Sequence, residues 1–177
     1  MAYVSLLVLL GPSNILEDFN QKDFLHPSFF IHCVSDDECK NTLERYQNNV
    51  LEMDIVLPDT AIDLIRTYQN LICPRKSFHI YCQTKQRLQE CRQLHVCCRY
   101  DSVFNMNMLQ QKLERRAQNH LLRHMEYLEN LKEQGNADAA DSLILIGETF
   151  EQNAARINEE IRQKSSLGTQ SDELDNG

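Results

Sequence analysis

One pattern governs the first hundred residues of this chain: five short apolar runs separated by stretches with helical spacing. The runs cover residues 3–10, 28–34, 53–57, 77–82 and 94–98. Each is continuous rather than alternating, as strands covered on both faces require. Between them, residues 36–48 carry Leu43 and Tyr46 on one side, with Val50 beyond, behind Asp36 and Asp37, which are placed to cap a helix. Residues 59–72 open at Asp59 or Thr60, repeat Ile62, Ile65 and Ile72 at helical spacing, and close at Cys73-Pro74. A shorter helical stretch covers 85–93, and residues 14–23 hold one or two turns before His26-Pro27. Strands alternating with helices need right-handed crossovers. The expectation is therefore an α/β fold with a five-stranded, mostly parallel sheet and helices on both faces. Residues 3–10 and 53–57 are its central strands, and ligands belong at the carboxyl ends of the strands.

From about residue 106 the composition changes. Net charge is −2 over residues 1–100 and −6 over 101–177. Leu109, Leu113, Ala117, Leu121, Met125, Leu128 and Leu131 follow helical spacing, and Gly135 stands where a C-cap glycine would. A second helix carries Leu143, Ile146, Phe150, Ala154, Ile157 and Ile161 on one stripe. The pair reads as an antiparallel helical hairpin. Arg115, Arg116, His120, Arg123 and His124 form a basic strip opposite the leucines, expected to be solvated and paired locally with Glu114, Glu126 and Glu129. The division is an α/β domain over 1–100, the hairpin over 101–164 and a disordered acidic tail over 165–177. Ile144 and Leu145 flank the main stripe, where the first helix cannot cover them, so either the α/β domain covers them or they are the expected contact with a protein partner or a second copy.

Composition excludes several classes. A net charge of −8 argues against sequence-independent nucleic-acid binding, and no apolar run approaches the ~18–20 residues of a membrane span. Seven cysteines cannot all pair within one chain, and most sit inside apolar segments, as buried thiols do in a reducing compartment. The N-terminal run has no Lys or Arg before Lys22 and no small-residue cleavage site, so it reads as a strand and the cytoplasm is expected. Gly11-Pro12 follows the first strand where a phosphate loop needs several glycines, and no cofactor is expected. His79, Cys82, His95, Cys97 and Cys98 gather on two strands, but parity sends His79 and Cys82 to opposite faces and no CxxC occurs. No metal site is expected. The enzymatic alternative places Cys82 and Cys98 at the carboxyl edge, with His26 or His32 as a base, to make a small α/β enzyme or ligand binder.

Two resemblances sharpen this picture. Five strands within about 100 residues, with MDIVLPD at 53–59 like a receiver third strand, resemble the flavodoxin-like, three-layer receiver domains of response regulators. That family needs an aspartate at the tip of this strand, an acidic pair after the first and a lysine after the fifth. Here those places hold Leu57-Pro58, Gly11-Pro12 and Arg99-Tyr100, so the resemblance implies a pseudo-receiver without phosphotransfer, and Asp59 reads as an N-cap. Residues 136–150 resemble the first helix of a tetratricopeptide repeat of the kinesin light chain type. Leu143, Ile146, Gly147 and Phe150 take its apolar, apolar, small and aromatic positions, and the small residue implies close approach of a paired helix. Together these readings point to a non-catalytic interaction or adaptor module that binds protein through its C-terminal helices.

Overall fold

The structure, a computed structural model, describes residues 4–19, 22–70, 73–93 and 100–171, with side chains described to residue 163. Five strands form one all-parallel sheet: β1 (Ser5–Leu10), β2 (Phe30–Cys33), β3 (Glu52–Pro58), β4 (Arg75–Cys82) and β5 (Ser102–Asn105). Their order is β2-β1-β3-β4-β5, the doubly wound order compatible with a flavodoxin-like fold. Register runs Leu7 to Phe30 and Asp54, then Val56 to His79 and His79 to Ser102. Residues 94–98, expected as the fifth strand, lie outside the described residues. The strand that fills this place is Ser102–Asn105, past the boundary expected at residue 100.

Every residue of β1 is buried, and alternate side chains feed two separate cores. Leu6, Val8 and Leu10 join Met53, Ile55, Leu57 and Ile80 on one face. There they meet Cys39 and Leu43 of α1 (Asp36–Tyr46), Leu64 and Ile65 of α2 (Ile62–Tyr68), and Cys91 of α3 (Lys85–Gln93). Leu7 and Leu9 join Val56, Tyr81 and Phe104 on the other face. That face is closed by Phe24 and Phe29 from the β1–β2 crossover and by Leu109, Leu113, Ala117 and Leu121 of α4 (Leu109–Glu133). Ala139 and Ile146 of α5 (Asp138–Ser171) complete it. Burying each such leucine contributes about 1.5–3 kcal/mol, so neither face of the sheet can be left open.

Local chemistry sets the ends. The cap of α1 is Ser35, not Asp36 or Asp37: its hydroxyl accepts from the Glu38 amide at 3.2 Å, while Glu38 accepts from the Val34 amide at 2.8 Å. The two aspartates sit in the first turn, where the helix dipole favours negative charge. Asp59 does not cap α2; it opens a 3₁₀ turn and its carboxylate accepts from Arg87 Nε at 2.7 Å. Residues 13–18 make turns rather than a helix. A Cβ on Gly11 would come within 2.9 Å of the Tyr81 hydroxyl, which donates to the Leu10 carbonyl at 2.8 Å. Gly135, with φ +88, ends α4 as expected: the Asn136 amide bonds to Leu131 O and the Gly135 amide to Lys132 O, a Schellman closure.

From that turn α5 runs back along α4. Gln118 Nε2 donates to Phe150 O at 3.3 Å, Asn153 Nδ2 to Glu114 O at 3.0 Å, and Gln111 Nε2 to Glu160 Oε2 at 2.6 Å. The helix continues to Ser171, past residue 165, the expected start of the polar tail. None of the described helices is long and apolar enough to cross a membrane.

Backbone amides of β1 and β3, bonded on both sides and covered on both faces, should exchange slowest with solvent, more than about 10-fold slower than those of the edge strands β2 and β5. Hydrogen exchange resolved by residue checks this; fast exchange in β1 or β3 contradicts the strand order.

Candidate functional site

The carboxyl edge of the sheet does not assemble the expected cysteine–histidine pair. Cys82 ends β4 on the first core, fully buried, and burial pushes its thiol up to about 12. It is protonated near neutral pH and is a poor nucleophile. Cys98 lies outside the described residues. The histidines are engaged elsewhere. His32 Nε2 bonds Gly11 O at 3.1 Å, His26 Nδ1 bonds the Ser28 hydroxyl at 2.7 Å, and His79 points from the opposite face of β4.

Sequence reasoning missed a buried charge cluster beneath α4. Asp54, at 6% exposure, sits mid-strand in β3 on the face of Leu7 and Val56. His79 Nε2 donates to Asp54 Oδ1 at 3.4 Å, while His120 Nε2 and Arg116 Nη1 both reach Oδ2 at 3.3 Å. His79 Nδ1 lies 2.9 Å from the Ser102 hydroxyl, and the His120 ring stacks on Phe29 at 5.5 Å. Arg116 and His120, placed on a solvated strip by the sequence reading, instead turn to the sheet; His120 is 1% exposed. The reason is electrostatic: an isolated carboxylate in an apolar strand draws the nearest hydrogen-bond donors inward. The lone aspartate in MDIVLP was the available signal, since parity sets it beside Leu7 and Val56.

Burial opposes charge on Asp54, yet hydrogen bonds from His120 and His79, with the charges of His120 and Arg116, hold its carboxyl well below the usual range. Burial also holds His79 below its ordinary value, against the pull of Asp54. With every member tied to another, the cluster fastens helix to sheet.

The open site lies at the far end of α4. A groove of about 520 Å³ runs between the β1–β2 crossover, the last turns of α4 and the first turns of α5. Leu128, Leu131, Ala139 and Ile146 line it together with His26 and His124, and Leu145, more than half exposed, forms part of its rim. Burial keeps both histidines below their ordinary value, and for His124 the nearby His26 adds to this. Ile144 and Leu145, singled out by the sequence, are 63% and 56% exposed on the outer side of α5. Phe150 is only partly buried, and a Cβ on Gly147 would meet nothing within 4 Å. The close helix approach implied by the repeat resemblance is therefore not made at Gly147. Set against protein-family models, curated proteins and solved structures, the chain finds no match.

Acid should unfold this protein in two stages. His26, His79 and His124 titrate lower when folded. The unfolded chain therefore takes up protons first, and stability is kept above about pH 6.5 and falls below it. Asp54 is also held low when folded, and its contribution is present above about pH 4 and lost as pH falls further. Urea midpoints measured from pH 8 to pH 3 should show both declines. Asp54→Ala should cost about 3–5 kcal/mol at neutral pH by leaving Arg116 and the two histidine rings without their shared acceptor, and should flatten the lower decline.

Proposed function

We propose that this chain is a non-catalytic protein-binding module whose groove receives an amphipathic helix of a partner with basic flanks. The observation that carries the reading is the position of Leu145: exposed, apolar, and on the rim of an apolar groove. An amphipathic helix laid into such a groove offers apolar anchors at helical spacing. Charge chooses among occupants. Between Asp138 and residue 152, α5 carries Asp138, Asp141, Glu148 and Glu151 and no Lys or Arg. Asp141 and Glu148 stand one turn from Ile144 and Leu145, and both are exposed. A second copy would bring the same acidic border and be repelled, whereas a partner with Lys and Arg beside its apolar stripe is attracted.

The same reading treats the α/β unit as receiver-like and three-layered, and α4 with α5 as a helical hairpin set on it. The strand order and the cores on the two faces support the first part. The hydrogen bonds that pair Gln111 with Glu160 and Glu114 with Asn153 support the second. Leu57-Pro58 in place of a phosphoacceptor, and a buried, protonated Cys82 at the carboxyl edge, favour an adaptor over an enzyme.

The test uses two synthetic helical peptides with one leucine pattern, flanked by lysines in one and by glutamates in the other. The lysine peptide should bind, and Ile144→Glu with Leu145→Glu should weaken it by about 10-fold or more through loss of apolar contact. The two added charges would strengthen a purely electrostatic association, so loss of binding separates the two causes. Equal binding of both peptides, or none by either, refutes the proposal. A concentration-dependent dimer in sedimentation, abolished by the double substitution, would make a second copy the occupant instead.

A further inference from the structure

At the carboxyl edge of the sheet, on the face away from the groove, three metal-binding side chains converge from three elements. Register pairs Pro58 of β3 with Tyr81 of β4, so Asp59 and Cys82 follow at the same level. Helix α3 then brings Cys91 back over them, and the ligand atoms of Asp59, Cys82 and Cys91 all lie within 4.8 Å of one another, every one of the three residues buried. We propose that these residues form a zinc site. From the sequence no metal site is expected anywhere, and the ligands weighed there are a different set, with which this one shares only Cys82.

Bonds of about 2.3 Å to sulfur and about 2.0–2.2 Å to oxygen put neighbouring donors of a tetrahedral zinc about 3.4–3.8 Å apart. Closing the existing triangle to that size shortens no donor–donor distance by more than about 1.4 Å, within reach of side-chain adjustment. Two sulfur donors select a soft or borderline ion over magnesium or calcium, and the carboxylate suits zinc better than Cu(I). The outer contacts fit as well. Asp59 Oδ2 accepts from Arg87 Nε at 2.7 Å, which orients the carboxylate and leaves its other oxygen for the ion. Glu90 holds the same guanidinium at 2.6 Å, and the Tyr100 hydroxyl donates to the Cys91 carbonyl, fixing the end of α3. A divalent ion offsets two of the three negative charges of the two thiolates and the carboxylate, and the Arg87 guanidinium, shared with Glu90, faces the third, which lowers the cost of placing charge there. Binding releases the two thiol protons to solvent. The fourth position of the tetrahedron is left to a water or an outside donor.

Reduced protein stripped with a chelator and then dialysed should take up one Co²⁺ per chain with a thiolate-to-cobalt charge-transfer band in the near ultraviolet, and Zn²⁺ should displace it. Cys82→Ser and Cys91→Ser should each remove the band, and Asp59→Asn should weaken Zn²⁺ binding at least about 10-fold. Cys73→Ser, a buried thiol of the same core, should leave both unchanged. Absence of the band in the wild-type chain, or its persistence in both serine variants, overturns the proposal. Should the serine variants fold poorly, the wild-type chain decides. In mild urea, Zn²⁺ should slow alkylation of Cys82 and Cys91 about 10-fold, as mapped by mass spectrometry, while Cys73 reacts at an unchanged rate. Equal rates with and without Zn²⁺, or protection of other cysteines only, refute the site. Peptide binding at the groove is independent of either result.

Discussion

A carboxylate sits in the middle of this sheet, and the second half of the molecule is arranged around it. Asp54 occupies a position on β3 whose neighbours on the same face are Leu7 and Val56. An ionised group left there alone would cost several kcal/mol. Helix α4 supplies Arg116 and His120 one turn apart, and β4 supplies His79 from beside it. These contacts set how far along the sheet α4 lies, which its leucines alone would specify loosely, since a stripe of similar apolar residues can slide by a turn. The polar cluster thus acts as a register pin within an apolar interface.

The position of the groove follows from that pin. Once α4 is fixed, Asn153, fully buried, reads its place against Glu114 O and the Gln118 side chain and aligns α5. The Schellman turn at Gly135 sets where α5 starts. The crossover carrying His26 and Phe29 is packed under α4 by the stacking of Phe29 on His120. The crossover and the α4–α5 turn, distant in sequence, are thereby brought to one groove at the end of α4, and Ile144 and Leu145 are left exposed among the described residues.

The two faces of the sheet carry different chemistry. The α4 face holds one carboxylate, Asp54, locked among the nitrogen groups of His79, His120 and Arg116. The opposite face is rich in thiols: Cys33, Cys39, Cys73, Cys82 and Cys91 all belong to its core. Parity along the strands enforces the separation, because neighbouring residues of one strand point to opposite faces. His79 and Cys82 lie three apart on β4 and so never meet. Cys82 finds Asp59 and Cys91 instead, through the register of β3 with β4 and the return of α3.

Much of this was written in the chain. Continuous apolar runs dictated parallel strands buried on both faces, the stripe from Leu109 to Leu131 dictated a long helix, Gly135 dictated its end, and the excess apolar residues beside the α5 stripe marked Ile144 and Leu145 as surface. These are local properties, set by periodicity, caps and φ. Other features needed the assembled fold. Strand β5 carries only Val103 and Phe104 as apolar residues in its four, because an edge strand pairs on one side alone and needs no continuous run. The inward turn of Arg116 and His120 depended on Asp54, 62 and 66 residues earlier in sequence, whose charge becomes costly only when the sheet is closed. The groove and the Asp59, Cys82, Cys91 triangle are likewise products of register and crossover. Sequence spacing governs contacts along one element, whereas contacts between elements are settled by which buried charges and cavities the whole chain must satisfy at once.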